Sequence, residues 1–150
     1  MIKDNLLSPQ GRLTWAARWL AWKLAVLTPL VHLSLMLFGY QRTFAVLRRL
    51  ANWHTRPAVK MDDLERFSRG LRRINRLVRD HSPLPGSCLS RSLALWLMLR
   101  SQGIDARLHI GCRREDGQFQ AHAWVEWMER PVNAGVRVKA RYVDFQYHFD

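Results

Sequence analysis

Cysteine is scarce in this chain of 150 residues, which contains only Cys88 and Cys112. Two cysteines cannot build the disulfide network that supports small secreted domains, so we expect free thiols and a reducing, cytoplasmic location. The cysteines and histidines lack the spacing of a zinc site, and the sequence has no glycine-rich phosphate-binding loop. We therefore expect neither a metal nor a cofactor.

A clean hydrophobic run is also missing. The first residues, MIKDNLLSPQGR, mix charges with Pro and Gly, so we expect no secretory signal. The longest stretch without Lys, Arg, Asp or Glu runs from Leu24 to Gln41 and contains Pro29, His32 and Gly39. Because a membrane span needs about 20 predominantly apolar residues, this stretch favours helices packed on the domain or on a partner. Peripheral membrane contact stays open, and Pro29 is expected to kink or divide the helix.

Acidic residues are few: 12 Asp and Glu accompany 24 Lys and Arg, for a net charge of +12. Most of the excess lies in residues 1–82, which carry 15 basic and 5 acidic residues, whereas residues 83–150 carry 9 and 7. A basic half suits an acidic peptide or protein, anionic lipid or nucleic acid, and charge alone does not choose among them.

Hydrophobic periodicity separates a helical half from a mixed half. Apolar residues at helical spacing predict helices over 13–50 and 62–80, joined by a linker at 51–61. The second helix sets an apolar stripe opposite a face rich in arginine, which is either a solvated surface or a docking surface for an acidic partner. We expect residues 1–60 to form a helical N-terminal segment and linker, and residues 61–150 to form the core domain.

The second half begins with PLPGSCLSRSLALWLML, residues 83–99, which places Cys88 behind a Pro-Gly turn at the start of an apolar helix. This helix is expected to run to about Gln102, with Gly103 as its cap. The segments ARLHIGCR, QFQAHAWVEW and VRVKARYVDFQ then alternate, which predicts three antiparallel strands. The fold class is therefore α+β: an N-terminal helical segment, a central helix bearing Cys88 and an antiparallel β-meander bearing His122.

Cys88 stands where a reactive thiol would be expected. A thiol attacks carbonyls as the thiolate, and the unpaired N–H groups and dipole of a helix start favour that anion. Among the six histidines, His122 is the best placed base, because its strand is predicted to lie against the Cys88 helix between Ala121 and Ala123. Thiol proteases and transglutaminases share this arrangement. By spacing alone, a structural cysteine and a core histidine remain an alternative.

The stretch from Cys88 to Glu126 resembles the transglutaminase-like domain of lasso-peptide biosynthesis B proteins, which cleave the leader from a precursor peptide. The likeness lies in the CLxRSLAL helix start, the RxxGIxAxLxIG passage into a strand and the AHAWVE strand, in that order. Upstream, LFGYQRTFAVLRRL also looks like the helical N-terminal segment of that family. The resemblance implies a transglutaminase-like, papain-related fold in which Cys88 is the nucleophile and His122 is the base.

The third catalytic residue is open. Similar proteins carry an aspartate after a Val-Asn pair, but this chain reads PVNAG, which puts Ala134 at that position. Two substitutes remain: Asn133, whose amide could orient an imidazole, and Asp144, which we favour because its predicted strand can return beside His122. Glu126 lies four residues along the strand from His122, about 13 Å away, and is too far to hydrogen-bond that ring.

The resemblance implies a cysteine peptidase that removes the leader of a lasso precursor peptide. It also implies a leader-binding winged-helix protein, since residues 1–82 show no strand pattern for such a domain, and an ATP-dependent cyclase that acts on the released core. Two other classes stay open: an inactive transglutaminase-like scaffold that binds peptide, and a basic protein that binds membrane surfaces or nucleic acid. The preferred interpretation has no nucleic-acid partner.

Overall fold

In the described part of the chain, three helices are followed by a four-stranded antiparallel sheet, with one further helical turn between its last two strands. The computed structural model describes residue 6 and residues 14–53, 64–81, 86–135 and 137–144. In chain order the elements are α1 (Trp15–Trp53), α2 (Leu64–His81), α3 (Cys88–Arg100), β1 (Ala106–Glu115), β2 (Gln118–Trp127), β3 (Arg130–Pro131), α4 (Val138–Arg141) and β4 (Val143–Asp144).

Helix α1 is bent at Gly39, where φ is 74° and ψ is 174°. The side-chain oxygens of Ser34 and Thr43 lie 3.0 Å apart, whereas nine residues of straight helix would separate them by about 13.5 Å. Of the two effects expected of Pro29, division of the helix is contradicted, since the backbone at Pro29 stays helical. The bend occurs at the residue whose missing Cβ permits a positive φ.

The two sides of α1 differ in their surroundings. Ala17, Leu20 and Leu24 are buried, as their helical spacing predicts, while Trp15 and Trp22 on another side are exposed. By length and composition alone, the segment from Trp15 to Asn52 is apolar enough to cross a membrane, and 22% of its most apolar window is buried inside the protein. The first part of the expected linker, residues 51–53, is helical, and residues 54–61 lie outside the described residues.

One buried cluster joins the helices to the sheet. The apolar stripe predicted for α2 is confirmed where it is described, with Phe67, Leu71, Ile74 and Val78 all buried. The most completely enclosed members of the cluster come from every layer: Leu20, Leu71, Leu93, Leu99, Val125 and Val132. Helix α1 packs against both α2 and α3, and α3 also packs against β1 and β2.

The sheet has the strand order β3-β2-β1-β4. The predicted hairpin between β1 and β2 is confirmed, and its turn residues Asp116 and Gly117 have φ of 49° and 78°, the two positive values that a type I′ turn requires. Its register sets Gly111 opposite His122. All ten residues of β1 pair with β2, so β1 fixes the strand that carries the predicted catalytic histidine along its whole length.

The third predicted strand, residues 136–146, is wrong over most of its length. Residues 138–141 form the single turn α4, and only 143–144 form a strand. That strand pairs with β1, so it does not return beside β2 as expected. Packing on Trp124 explains the change, because three neighbouring residues follow a spacing of four and not of two: Ala134, Val138 and Tyr142.

Candidate active site

Cys88 is the first residue of α3, as the sequence predicts. Ser87 caps the helix, and its Oγ accepts a hydrogen bond of 3.1 Å from the N–H of Ser90. The side chain of Arg91 donates to the carbonyl oxygen of Gly86 at 2.7 Å and so fixes the preceding turn. The cap leaves the N–H groups of Cys88 itself and of the next residue without intrahelical acceptors, and the thiol is partly buried beside them.

Side chains of α3 bind the outer edge of β2. The carbonyl of Ala123 accepts a 2.9 Å hydrogen bond from Ser92 Oγ, and the N–H of Ala123 donates to the sulfur of Cys88. Cys88 and Ser92 are four residues apart, so both lie on one side of the helix. Because β3 pairs only with the last two residues of β2, these contacts satisfy strand groups that would otherwise lack partners.

The thiol of Cys88 is activated by this arrangement. A hydrogen bond with the imidazole of His122 is the largest of the effects that lower its pKa below the usual 9.0. The N–H of Ala123 and the charges of His122 and Arg91 also lower the pKa, while burial opposes them and raises it. A thiolate beside an imidazole is the form in which cysteine acts as a nucleophile.

The ring of His122 rests among aromatic side chains. Its centroid is 5.3 Å from that of Tyr142 and 6.3 Å from that of Trp124. The guanidinium of Arg113 lies over the ring of Tyr142, 5.0 Å from its centroid. Trp124 is 1% exposed, and the rings that it packs against include the imidazole of His122.

Glu126 is a buried carboxylate that holds Trp124 in place. Its Oε1 accepts from the indole N–H of Trp124 at 2.7 Å, and its Oε2 lies 2.7 Å from Nζ of Lys139. The imidazole of His109 is also close, 3.5 Å from Oε2. Glu126 therefore holds Trp124, one of the two rings that pack beside the imidazole of His122.

Asn133 links the loop after β3 to both β2 and α3. Its Oδ1 accepts from the N–H of Val125 at 2.8 Å, and its Nδ2 donates to Ser92 Oγ at 3.0 Å. Both polar ends of the amide are thus occupied by groups other than His122. The alternative in which Asn133 orients the imidazole does not agree with this geometry, and the residue instead fixes α3 against the strand that carries the histidine.

The two positions considered for an aspartate lie on different sides of His122. Ala134 lines the same cleft as His122 and is 9% exposed. Asp144 pairs with Gly111, which also pairs with His122 on the opposite side, so two strand spacings of about 10 Å separate the two backbones. The side chain of Asp144 lies outside the described part of the chain, and its catalytic role stays a prediction.

Two contributors to the site were not predicted from the sequence. Ser92 lies four residues after Cys88 in the CLSRS segment, and that spacing is a visible signal, but its partner on β2 is not. Tyr142 approaches His122 because α4 interrupts the expected third strand. Its spacing of eight from Ala134 is the only sequence signal for that placement.

The comparisons with known proteins agree with this geometry at the level of a family. The sequence model described as the transglutaminase-like superfamily matches residues 24–146, which is most of the chain. The matched region contains the start of α3, the β1–β2 hairpin and the cleft beside His122. No curated protein and no solved structure gives a significant match.

Proposed function

The chain belongs to the transglutaminase-like superfamily, and from this premise we propose that it is a cysteine peptidase that removes the leader from a lasso precursor peptide. The observation that carries the peptidase proposal is the hydrogen bond between Cys88 and His122, which lowers the pKa of the thiol. The choice of substrate rests on the resemblance of residues 88–126 to the lasso-peptide B proteins.

In the first step the sulfur of Cys88 attacks the carbonyl carbon at the leader-core junction. His122 takes the thiol proton and returns it to the nitrogen of the departing core, so that the C–N bond breaks as the thioester forms. Water then attacks the thioester with His122 as base, which releases the leader as a carboxylate and regenerates the thiol. The core leaves with a free amino terminus.

The N-terminus of α3 supplies the groups that stabilise the intermediate. The backbone N–H groups of Cys88 and Leu89 begin the helix without intrahelical acceptors, and they lie next to the attacking sulfur. Donors in this position stabilise the negative oxygen of a tetrahedral intermediate, an effect worth about 2.7–4 kcal/mol per donor in acyl-transfer enzymes.

Orientation of His122 is assigned in this proposal to two sources. Trp124 and Tyr142 restrict the plane of the ring by packing. Asp144 is proposed as the third catalytic residue, because its position in β4 and that of His122 in β2 are both in register with Gly111 and so lie on one face of the sheet. Single-turnover cleavage by Asp144→Ala tests this assignment, and wild-type turnover in that variant would remove Asp144 from the mechanism.

Two partner proteins belong to the proposal. A leader-binding winged-helix protein would present the precursor, and an ATP-dependent cyclase would use the released core, both in the cytoplasm. The exposed apolar side of α1, which includes Trp15 and Trp22, is available for a partner or for peripheral membrane contact. The purified protein alone should therefore cleave slowly, and the leader-binding partner should raise the rate by concentrating and orienting the precursor.

An inactive peptide-binding scaffold is the second candidate function, favoured by Ala134 at the position where similar proteins carry an aspartate. Mass spectrometry of precursor incubated with the leader-binding partner and either wild type or Cys88→Ala separates the two functions. A peptidase releases leader and core in the first reaction and neither in the second. Binding without cleavage in both reactions supports the scaffold.

The identity of the nucleophile has an independent chemical test. Iodoacetamide reacts with thiolates, so at pH 7 it should label Cys88 at the start of α3 faster than Cys112, which is partly buried in the strand β1. Peptide mapping of the alkylated protein measures both sites in one sample. Preferential labelling of Cys112 would contradict the assignment of Cys88.

A further inference from the structure

An arginine-lined cleft opens directly beside His122. It has a volume of about 390 Å³. His122 itself lines this cleft, together with Asn133, Ala134 and Tyr142. The remaining wall carries five arginines from two separate parts of the chain: Arg72, Arg76 and Arg79 from α2, and Arg137 and Arg141 from either end of α4.

The positive charge of this cleft is largely uncompensated. Arg79 pairs with Asp80 at 2.9 Å and Arg72 donates to the carbonyl of Pro131 at 3.4 Å. Arg76, Arg137 and Arg141 are exposed and have no carboxylate partner among the described residues. Among the described residues, the wall of the cleft contains no Asp or Glu. Guanidinium groups that converge in this way repel one another unless an anion lies between them.

The arginines of α2 that line the cleft lie outside its buried stripe. The helix packs through its buried apolar stripe, and polar residues other than arginine would suit the exposed positions as well. The wall is nevertheless held at a defined position, because Asn75 donates to the carbonyl of Asn133 at 3.3 Å in parallel with the contact from Arg72 to Pro131. These contacts attach the α2 face to the loop that fixes α3 on β2.

The chemistry of the reaction decides which part of a substrate enters the cleft. His122 must deliver its proton to the leaving nitrogen, so the residues after the scissile bond pass along the His122 side. The leader, which is held as the thioester, extends on the Cys88 side. The cleft beside His122 is therefore occupied by residues of the core, the C-terminal product that leaves first.

On the basis of the proposed peptidase function, we infer that this cleft binds Asp or Glu side chains carried by the substrate after the scissile bond. Guanidinium groups form paired hydrogen bonds with carboxylates, and the cleft opens beside the reacting pair. The arginine face of α2 is in this view a specificity surface of the active site and not merely a solvated helix face.

Equilibrium binding to Cys88→Ala tests the inference without any cleavage. The probes are two short peptides with free amino termini and a rhodamine label at the C-terminus, one of alternating Gly and Glu and one of alternating Gly and Gln. Fluorescence anisotropy should show the Glu peptide binding about tenfold more tightly, as expected for two or three exposed charge pairs. The difference should shrink when salt shortens the Debye length below about 8 Å.

Matched charge variants locate the effect. In the Cys88→Ala background, Arg76→Gln with Arg141→Gln should remove most of the preference for Glu. Arg49→Gln with Arg107→Gln removes the same charge from exposed residues outside the cleft wall and should leave the preference intact. Equal loss in both double variants would show that net charge, and not the cleft, causes the preference, and would overturn the inference.

Three further outcomes separate this inference from its rivals. A labelled single-stranded oligonucleotide that binds more tightly than the Glu peptide, and loses its binding with the cleft variant alone, would assign the cleft to nucleic acid and overturn the proposal. Cleavage of precursor by wild type without any preference for Glu over Gln after the scissile bond would leave the peptidase function standing and refute the acidic specificity. Preference in binding without cleavage would refute only the peptidase function.

Discussion

Replacement of Gly111 by alanine should displace Trp124 and Tyr142, the two aromatic side chains that pack beside His122. A Cβ at this position would lie 2.9 Å from Cη2 and 3.0 Å from Cζ3 of Trp124, and 3.0 Å from Cβ of Tyr142, whereas carbon atoms pack without repulsion at about 3.5–4.0 Å. Trp124 cannot easily retreat, since Glu126 holds its indole N–H at 2.7 Å. The new methyl group must therefore displace the rings that flank the imidazole.

Overpacking of this size costs about 1–3 kcal/mol in the free energy of unfolding, which urea denaturation measures. The rate of Cys88 alkylation should fall further than the loss of folded protein explains, because the displaced rings move the imidazole. Gly135→Ala is the control, since a Cβ there meets nothing within 4 Å. Trp124→Phe removes both ring atoms of the clash, so the double variant with Gly111→Ala should be more stable than additivity predicts. Wild-type stability and alkylation in Gly111→Ala would refute the reasoning.

Four further predictions follow from the contacts of the site. His122→Ala should raise the pKa of Cys88 and move its alkylation profile to higher pH, because the imidazole hydrogen bond is the largest cause of the lowering; an unchanged profile would contradict that cause. The pKa of Cys88 in the folded protein lies below the usual 9.0. Ionised Cys88 therefore contributes fully to the free energy of unfolding above pH 9.0, and this contribution is lost as the pH falls through the lowered pKa. Urea titrations of wild type and Cys88→Ala at several pH values measure the difference. Asn133→Ala should lower the free energy of unfolding by about 1–3 kcal/mol through its two lost hydrogen bonds and leave the Cys88 alkylation profile near that of wild type; a shift as large as that of His122→Ala would make Asn133 the orienting group. Ala134→Asp should increase precursor turnover by placing a carboxylate in the His122 cleft, and equal turnover in Ala134→Asn, which lacks the charge, would count against that effect.

The parts of the fold that depend on local sequence were predictable, and the parts that depend on tertiary packing were not. The start of α3 and the β1–β2 hairpin follow from a cap and a two-residue turn, Ser87 and Asp116-Gly117, which act on their own neighbours. The break in α1 at Gly39 and the turn α4 depend on distant partners. Sequence alternation alone could not show that Val138 would pack under Trp124 and not extend along a strand.

The same division applies to the candidate site. Cys88 and His122 were identified because a helix start and a histidine strand are local signals, and the family resemblance supplied their roles. The hydrogen bonds of Asn133 depend on the positions of two other chain segments, those of Ser92 and Val125, and so have no local signal in the sequence. An amide next to a catalytic position can hydrogen-bond either the imidazole or the neighbouring chain segments, and the partners of its oxygen and nitrogen distinguish these two roles.

These contacts suggest why a Cys-His pair in this fold depends less on a third polar residue than a serine triad does. A serine hydroxyl needs a base held in one tautomer throughout the reaction, whereas a thiol with a lowered pKa is already partly ionised before substrate arrives. Here the helix start and the N–H of Ala123 favour the thiolate, while Trp124 and Tyr142 confine the imidazole by packing. Loss of one aromatic contact should therefore impair proton transfer without raising the pKa of Cys88 as far as loss of His122 does. A carboxylate, whether from Asp144 or introduced at position 134, acts on an imidazole whose position the sheet has already restricted.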